Sequence, residues 1–185
     1  DLGAIVGCSA VIRLWRPQSY YDEPGRGTFA RDGGGVLISQ GIHTLDLMLS
    51  LAGPVDQVAG FATPTPVHRM ETEDMVCAAA RFASGAIGAI DATTAAFPGF
   101  PEEIILTCEK GTARLAGTEL LVQWHDGRRF AVEPDRPAGG TGADPMAFPH
   151  DWHRAVMAEE ALKVHRLIDA LIETGRTGAP VSVAR

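Results

Sequence analysis

The sequence predicts an α+β fold in which a large, mostly antiparallel open sheet has helices packed on one face. Strand-like runs follow one another between residues 55 and 133, separated by turn signals. The two long helical patterns flank this series and do not alternate with single strands, which argues against a parallel sheet. We therefore expect a single domain over residues 1–185, in which both faces of the sheet need cover.

The elements before the strand series are a strand, a loop and a helix. Residues 4–15 alternate in polarity as a strand, and residues 16–35 form a loop rich in Gly, Pro and Tyr. Residues 39–52 have apolar side chains at helical spacing and end at Gly53-Pro54, a typical helix stop.

The remaining elements follow from the same periodicities. Predicted strands span residues 55–63, 74–83, 86–96, 103–109, 112–116, 119–125 and 129–133. A Pro-, Gly- and Asp-rich connection over residues 134–147 leads to a second helix over residues 151–174, which ends at Gly175. Residues 180–183 form a short possible edge strand.

One face of the predicted strand over residues 86–96 is small and flat. Its side chains are those of Ala86, Gly88, Ile90, Ala92 and Thr94. We expect this face to be the open side of the sheet and to pack against another sheet. Asp91 and Thr93 alternate to the other side, where they line a cleft or face solvent.

The most informative stretch begins at Gly33-Gly34-Gly35 and places polar side chains on the predicted helix over residues 39–52. Ser39, His43 and Asp46 are spaced i, i+4 and i+7, so they share one stripe of the helix. Two interpretations are open. The stripe is a site with a titratable group, or Ser39 is an N-cap, Asp46 is solvated and His43 bonds a neighbouring carbonyl.

The pattern Gly-Gly-Gly-x-Leu-x-x-x-Gly-x-His-x-x-Asp, with Trp-Arg-Pro and Tyr-Tyr upstream, resembles the C-terminal domain of the Gfo/Idh/MocA family. These are NAD(P)-dependent sugar and polyol dehydrogenases. The resemblance implies that His43 accepts a proton from the substrate hydroxyl. The family's usual aspartate falls at Ser39, and a serine cannot supply its negative charge. The resemblance also implies a homo-oligomer contact through the open sheet face.

The loop after the first strand supplies candidate substrate contacts. Trp15, Arg16, Tyr20 and Tyr21 combine amphipathic rings with a fixed cation, which suits sugar hydroxyls and ring faces. In the competing interpretation, Trp15 and one tyrosine cover the core while Arg16 points to water. We take Ser39, Asp46, Arg16, Tyr20 and Tyr21 as the candidate substrate-binding residues.

No dinucleotide fingerprint is expected in this chain. Gly25-Arg26-Gly27-Thr28-Phe29-Ala30 matches G-x-G-x-x-A, but it follows a loop instead of a strand and no helix succeeds it. We expect a Rossmann domain with NAD or NADP to belong to a full-length parent, in a portion preceding Asp1, and no cofactor to bind this chain alone. Lys110 lies in a hairpin turn and Lys163 in a helical pattern, so neither is a good catalytic lysine.

Composition excludes several partner classes. The 16 Lys and Arg against 23 Asp and Glu give a net charge of -7, with no basic cluster for nucleic acid. No apolar run approaches the roughly 20 residues of a membrane helix, and a cytoplasmic location is our default expectation. The three cysteines, Cys8, Cys77 and Cys108, are expected in the core.

The other histidines are not expected to bind a metal, although the interpretation in which the segment with His150 and His153 borders the pocket stays open. His150 and His153 have i, i+3 spacing, but without further ligands nearby we expect them to flank a capped helix and to bind no metal. His68, His125 and His165 have no partner pattern and are expected to be surface or packing residues.

Two functions remain open from sequence alone. The first is the substrate-binding and oligomerisation domain of a sugar or polyol oxidoreductase, with His43 handling the proton. The second is a non-catalytic sugar-sensing or scaffold domain of the same fold, which the loss of the aspartate at Ser39 favours.

The junction Glu159-Glu160 is unusual for the resembling family, in which two helices joined by a loop usually stand here. Either the helices have fused through a deletion, or a segment is missing from the sequence at this point. We favour the missing segment, because fusion would give one rod of about 35 Å.

Overall fold

A nine-stranded sheet organises the computed structural model, which describes residues 1–132 and 158–184. The strands are β1 (Ile5–Arg13), β2 (Val55–Thr63), β3 (Met75–Phe82), β4 (Ile87–Thr93), β5 (Glu103–Cys108), β6 (Gly111–Ala116), β7 (Glu119–Trp124), β8 (Arg129–Val132) and β9 (Val181–Ser182). Their order is β8-β7-β6-β5-β1-β4-β3-β2-β9, and only β1 and β4 pair in parallel. The predicted α+β class and open antiparallel sheet are confirmed.

The described helices are three single turns and two longer elements. They are α1 (Gln18–Tyr21), α2 (Phe29–Asp32), α3 (Val36–Ser39), α4 (Ile42–Ala52) and α5 (Ala158–Thr177). Helix α5 is the described part of the helix predicted over residues 151–174, whose first seven residues lie outside the described residues. It does not stop at Gly175 as expected but continues to Thr177. The predicted connection over residues 134–147, together with His150 and His153, lies outside the described residues.

The single helix predicted over residues 39–52 is wrong, because the chain breaks between α3 and α4. The N–H groups of both Gln40 and Gly41 donate to the carbonyl of Val36, at 3.2 and 2.7 Å, so the turn tightens there. Gln40 leaves helical geometry with φ -128° and ψ -49°. Gly41 fits the break because a Cβ there would crowd the side chain of Ile12 at 3.2 Å. Ser39 therefore lies on a different element from His43.

Helices α4 and α5 cover one face of the sheet and form the core with it. Leu45 and Met48 of α4 and Leu167 of α5 are fully buried in the same cluster as Ile12 and Ile90. On α5, Val164, Ile168 and Leu171 are buried beside Leu167, so each helix has one buried face at helical spacing.

The expected open face of β4 is the covered one, so that prediction is wrong. Ala86, Ile90 and Ala92 have at most 5 % of their surface exposed, and all three belong to the core cluster. This face of β4 is therefore part of the helix-covered core. Alternation along a strand separates two faces, but it does not say which face the helices will cover.

The opposite face of the sheet is open and carries its own row of small residues. Ala59, Ala79, Ala89 and Ser9 are register neighbours on β2, β3, β4 and β1. Ile87 on β4 and Phe61 on β2 project from the same face, 66 % and 74 % exposed. We call these six residues the open-face patch. An ion pair between Arg13 and Asp91 borders it.

Helix α5 passes through the junction Glu159-Glu160 without interruption. A continuous helix at this junction contradicts the expected missing segment, so that expectation is wrong. Neither residue is a helix breaker, so the local sequence is compatible with a continuous helix from Ala158 onward.

Two further expectations are decided by burial and helix length. Cys8 and Cys108 are buried as expected, but Cys77 is exposed because it lies on the open face of β3. No single helix in residues 1–132 and 158–184 is long and apolar enough to cross a membrane; one bent pair, residues 29–39 with α4, passes only on length and composition.

Candidate functional site

His43 lies in the first turn of α4, with its side chain exposed. Its neighbours Thr44 and Leu45 are buried, and their packing fixes the helical turn that carries the imidazole. The Thr44 hydroxyl bonds the carboxyl group of Glu102, just before β5. Burial raises the pKa of Glu102, and this hydrogen bond opposes the increase. His43 is thus an accessible titratable side chain on a rigid support.

Ser39 lies on α3, just before the break, and its hydroxyl has two acceptors within reach. The Ser39 Oγ atom is 2.6 Å from the carbonyl oxygen of Gly35 and 2.6 Å from Oε1 of Gln40. A serine has one proton, so it donates to one of these at a time. Its oxygen can accept a further hydrogen bond from a ligand hydroxyl.

Gln40 connects Ser39 to the upstream loop. The Gln40 Nε2 group donates to the Tyr20 hydroxyl at 3.1 Å, and Arg26 Nη1 donates to the same oxygen at 3.1 Å. With two donors directed at its oxygen, the phenol of Tyr20 keeps its own proton for a third partner. These hydrogen bonds join the α3–α4 break to the loop after β1, and Tyr20 between them is half-buried. We call Ser39, Gln40, Tyr20, Arg26 and the neighbouring Arg16 the polar wall.

Arg16 lies beside the same phenol ring. The guanidinium carbon of Arg16 is 5.4 Å from the ring centroid of Tyr20, and that of Arg26 is 4.6 Å away. Both arrangements are within cation–π range. Glu23 pairs with Arg26 at 2.9 Å and with Arg31 at 3.0 Å, so part of this positive charge is offset.

The two adjacent tyrosines differ in environment. Tyr21 is buried, its hydroxyl is 2.7 Å from Thr94 Oγ1, and burial raises its pKa. Its ring meets that of Tyr20 edge-on at 5.0 Å. The interpretation in which one tyrosine covers the core therefore describes Tyr21, which supports Tyr20 from behind.

Glu73 fixes the glycine-rich entry to α3. Its buried carboxylate accepts from the N–H of Gly35 at 3.0 Å and of Leu37 at 3.3 Å, and its backbone carbonyl accepts from Val36 at 2.9 Å. Burial raises the pKa of Glu73, and the backbone donors oppose the increase. A Cβ at Gly35 would overlap the Glu73 carbonyl oxygen, so only glycine fits there.

The structure places three of the predicted site residues in one group, and two others lie on α4. Ser39 and Tyr20 are joined through Gln40, with Arg16 beside Tyr20. Asp46 is half-buried one turn after His43 on α4.

Four residues that hold the site were not among the residues predicted from sequence. Gln40 lies inside the glycine-histidine motif, and that position was the only signal for it. Glu73 and Asp74 are adjacent acidic residues at the start of the strand predicted over residues 74–83, and that pattern does not indicate the donors they bond. His68, expected to be a surface or packing residue, is buried and bonded to Asp74.

Comparisons with known proteins identify a family and a shared fold. The model of the GFO/IDH/MocA C-terminal domain matches residues 1–114. A comparison with curated protein sequences found no significant match. Among solved structures, the WlbA dehydrogenase from Bordetella pertussis, in complex with NADH and UDP-GlcNAcA, is 27% identical, with a TM-score of 0.74 over 100% of this chain and 56% of that one.

Other solved structures share the fold. The WlbA dehydrogenase from Chromobacterium violaceum, with the same two ligands, is 28% identical over 99% of this chain and 56% of that chain, with a TM-score of 0.76. Levoglucosan dehydrogenase in complex with NADH and levoglucosan is 20% identical over 100% of this chain and 60% of that chain, with a TM-score of 0.78.

The chain spans between 56% and 60% of the length of these three structures. The matched residues 1–114 include β1, the glycine-rich entry to α3, and α4 with His43. The family model covers more than half of the chain, and the sheet with its helices has the expected architecture. The chain belongs to the GFO/IDH/MocA family, of which it is a C-terminal domain.

Proposed function

We propose that this chain is the substrate-binding domain of an NAD(P)-dependent sugar or polyol oxidoreductase, in which His43 accepts the proton of the substrate hydroxyl. The observation that carries the proposal is the exposed imidazole of His43 on the fixed first turn of α4, directly after the break at Gln40. A general base needs access to its substrate and a rigid support. His43 has both.

The substrate lies, in this proposal, between α4 and the loop after β1. Tyr20 offers a phenol proton, Ser39 an acceptor oxygen and Arg16 a cation, while Asp46 extends the polar stripe beyond His43. Sugar hydroxyls both donate and accept, and they suit such a mixture of groups. The sugar ligand of the WlbA dehydrogenases is consistent with this class of substrate.

The described residues do not fit a dinucleotide site. Gly25 and Gly27 lie between α1 and α2. The expectation that no helix follows them is wrong, because the four-residue helix α2 begins at Phe29, but α1 and not a strand precedes them. Pyrophosphate binding needs a strand, a tight turn and a following helix N-terminus. We propose that NAD or NADP is bound by another part of the parent protein. Calorimetric titration of NADH into this chain is expected to give no measurable heat of binding, and micromolar affinity would contradict this assignment.

A second function, a sugar-sensing or scaffold domain without catalysis, is favoured by one residue. Ser39 stands where the resembling dehydrogenases have aspartate, and a serine cannot increase the basicity of an imidazole as a carboxylate does. We propose the enzyme over the scaffold because His43 and Asp46 are both present.

The two functions are separated by assaying the full-length parent for NAD(P) reduction with a panel of sugars, polyols and sugar nucleotides. We expect turnover with at least one. Sugar binding without turnover on the whole panel would favour the sensing domain.

A cytoplasmic location of the parent protein also stays a prediction.

Self-association through the open-face patch is the second part of the proposal. The row of Ala59, Ala79 and Ala89 is flat, and the exposed side chains of Phe61 and Ile87 flank it. Flat, exposed apolar sheet is an aggregation hazard unless it is covered. A second copy of the chain would cover this patch by sheet-on-sheet packing.

A further inference from the structure

A buried histidine and a buried aspartate lie behind the polar wall, next to the backbone of Arg16. The side chains of His68 and Asp74 are fully buried, and Nδ1 of His68 is 2.5 Å from Oδ2 of Asp74. On the other side of the ring, Nε2 is 2.8 Å from the backbone carbonyl oxygen of Arg16. One imidazole thus connects the residue before β3 to the segment after β1.

The partners of the ring determine where its protons are. A carbonyl oxygen only accepts, so Nε2 of His68 donates to Arg16. The Asp74 carboxylate accepts from the N–H of Thr65 at 2.6 Å and from the Thr65 hydroxyl at 2.7 Å. Several donors around a carboxylate favour its charged form, and a charged Asp74 requires Nδ1 to donate as well. The ring of His68 is then an imidazolium.

The backbone of Arg16 is held on both sides by this arrangement. Its N–H donates to the carbonyl of Thr94 at 2.9 Å, and its carbonyl accepts from His68. The His68 ring also packs against Tyr21, with ring centroids 4.7 Å apart. Removing His68 would leave Asp74 as a buried charge without its counterion, and would free the Arg16 peptide group to move.

We propose that His68 is a positioning residue for the polar wall. Its imidazolium holds the backbone of Arg16 in the position from which the Arg16 guanidinium contacts the substrate. The part that concerns substrate rests on the proposed function. The part that concerns the two ring protons rests on hydrogen-bond geometry alone. His68 does not touch the substrate, because its side chain is fully buried.

The protonation of His68 is tested in the wild-type chain by 15N NMR of histidine rings at about pH 7. The His68 signals are assigned by their disappearance in His68→Gln. We expect both ring nitrogens to carry a proton and to show couplings to it. An unprotonated nitrogen at either position would overturn the proposal, and this result does not depend on any enzymatic activity.

The positioning role is tested by kinetics of the full-length parent, with the panel sugar that gives the fastest turnover. His68→Ala is expected to increase KM on the order of 10-fold with a smaller change in kcat. His68→Gln should recover part of this loss, because its amide can still donate to the Arg16 carbonyl. His165→Ala, at an exposed position on α5, is the matched control and should leave KM unchanged.

A double-mutant cycle shows whether His68 acts through Arg16. Arg16→Ala with His68→Ala is expected to increase KM no more than Arg16→Ala alone, because both changes remove one interaction. Independent effects that multiply, or an unchanged KM in folded His68→Ala, would overturn the positioning role. If His68→Ala does not fold, His68→Gln replaces it in the cycle. Absence of turnover in the wild type would refute the proposed function and leave the NMR result to decide on His68.

Discussion

At the scale of single residues, the site depends on polar groups that are paired before a ligand arrives. Gln40 has one acceptor and one donor group, and each has a partner, Ser39 and Tyr20 respectively. Glu73 has its carboxylate against the backbone N–H groups of the entry to α3. Such pairing fixes side chains in advance, which lowers the entropic cost of binding.

Glu73 should give the stability of the chain a pH dependence of known sign. Burial raises its pKa in the folded state, so the folded chain binds this proton more readily than the unfolded chain does. The resulting stabilisation is fully present below the ordinary pKa of glutamate and is lost as the pH increases through the raised value. Glu73→Gln removes this contribution.

Urea unfolding of the wild type and of Glu73→Gln at about pH 5 and about pH 8 checks the sign. The free energy of unfolding of the wild type, relative to Glu73→Gln, is expected to be larger at the lower pH. Glu119→Gln, at an exposed position on β7, should show no such change. A relative stability that falls toward acid pH would contradict the assigned burial effect, since other carboxylates are common to both proteins.

At the scale of elements, the break between α3 and α4 decides the layout of the site. The break turns Gln40 toward Tyr20 and leaves His43 at the start of a new helix. Its position depends on close packing of Gly35 against the Glu73 backbone, where any side chain would collide.

Gly35→Ala is expected to lower the free energy of unfolding by about 3 kcal/mol, because backbone must move to make room for the Cβ. Gly85→Ala is the matched control. Its φ of +90° makes a side chain unfavourable, but the space around it is open, so a cost of about 1 kcal/mol is expected. Equal losses of stability in the two variants would show that the contact with Glu73 is unimportant.

The strands were predictable from sequence because alternation and turn residues are local signals. The break at Gln40 was not, since the apolar spacing of Leu37, Leu45 and Met48 is that of an unbroken helix. The side of β4 that helices cover was also not predictable, because both faces carry small residues, Ala92 on one and Ala89 on the other. His68 and Asp74 meet through a loop, and no periodicity marks such a pair.

At the scale of the whole molecule, the two proposed functions fall on different parts of the sheet. The site lies at the end of the sheet where β1 and β4 finish and α4 begins, whereas the open-face patch lies on the side that the described helices do not cover. A change in the patch should therefore affect assembly without touching the site.

Ala89→Arg is expected to weaken self-association by about 10-fold or more, since it would place like charges opposite each other in a symmetric contact. Sedimentation velocity over a concentration series measures this. Ala83→Arg, in the exposed turn between β3 and β4, is the control. Ile90→Arg should instead unfold the chain, because Ile90 is in the core. A wild type that stays monomeric at high concentration would contradict the proposed contact.

We propose that His43 takes the substrate proton, and the turnover of His43→Asn in the full-length parent protein tests this most directly. We expect kcat to decrease on the order of 10²-fold or more, with an unchanged free energy of unfolding because the side chain is exposed. His165→Asn, at an exposed position on α5, should retain full turnover. A folded His43→Asn variant with the kcat of the wild type would contradict the claim and make His43 a structural residue.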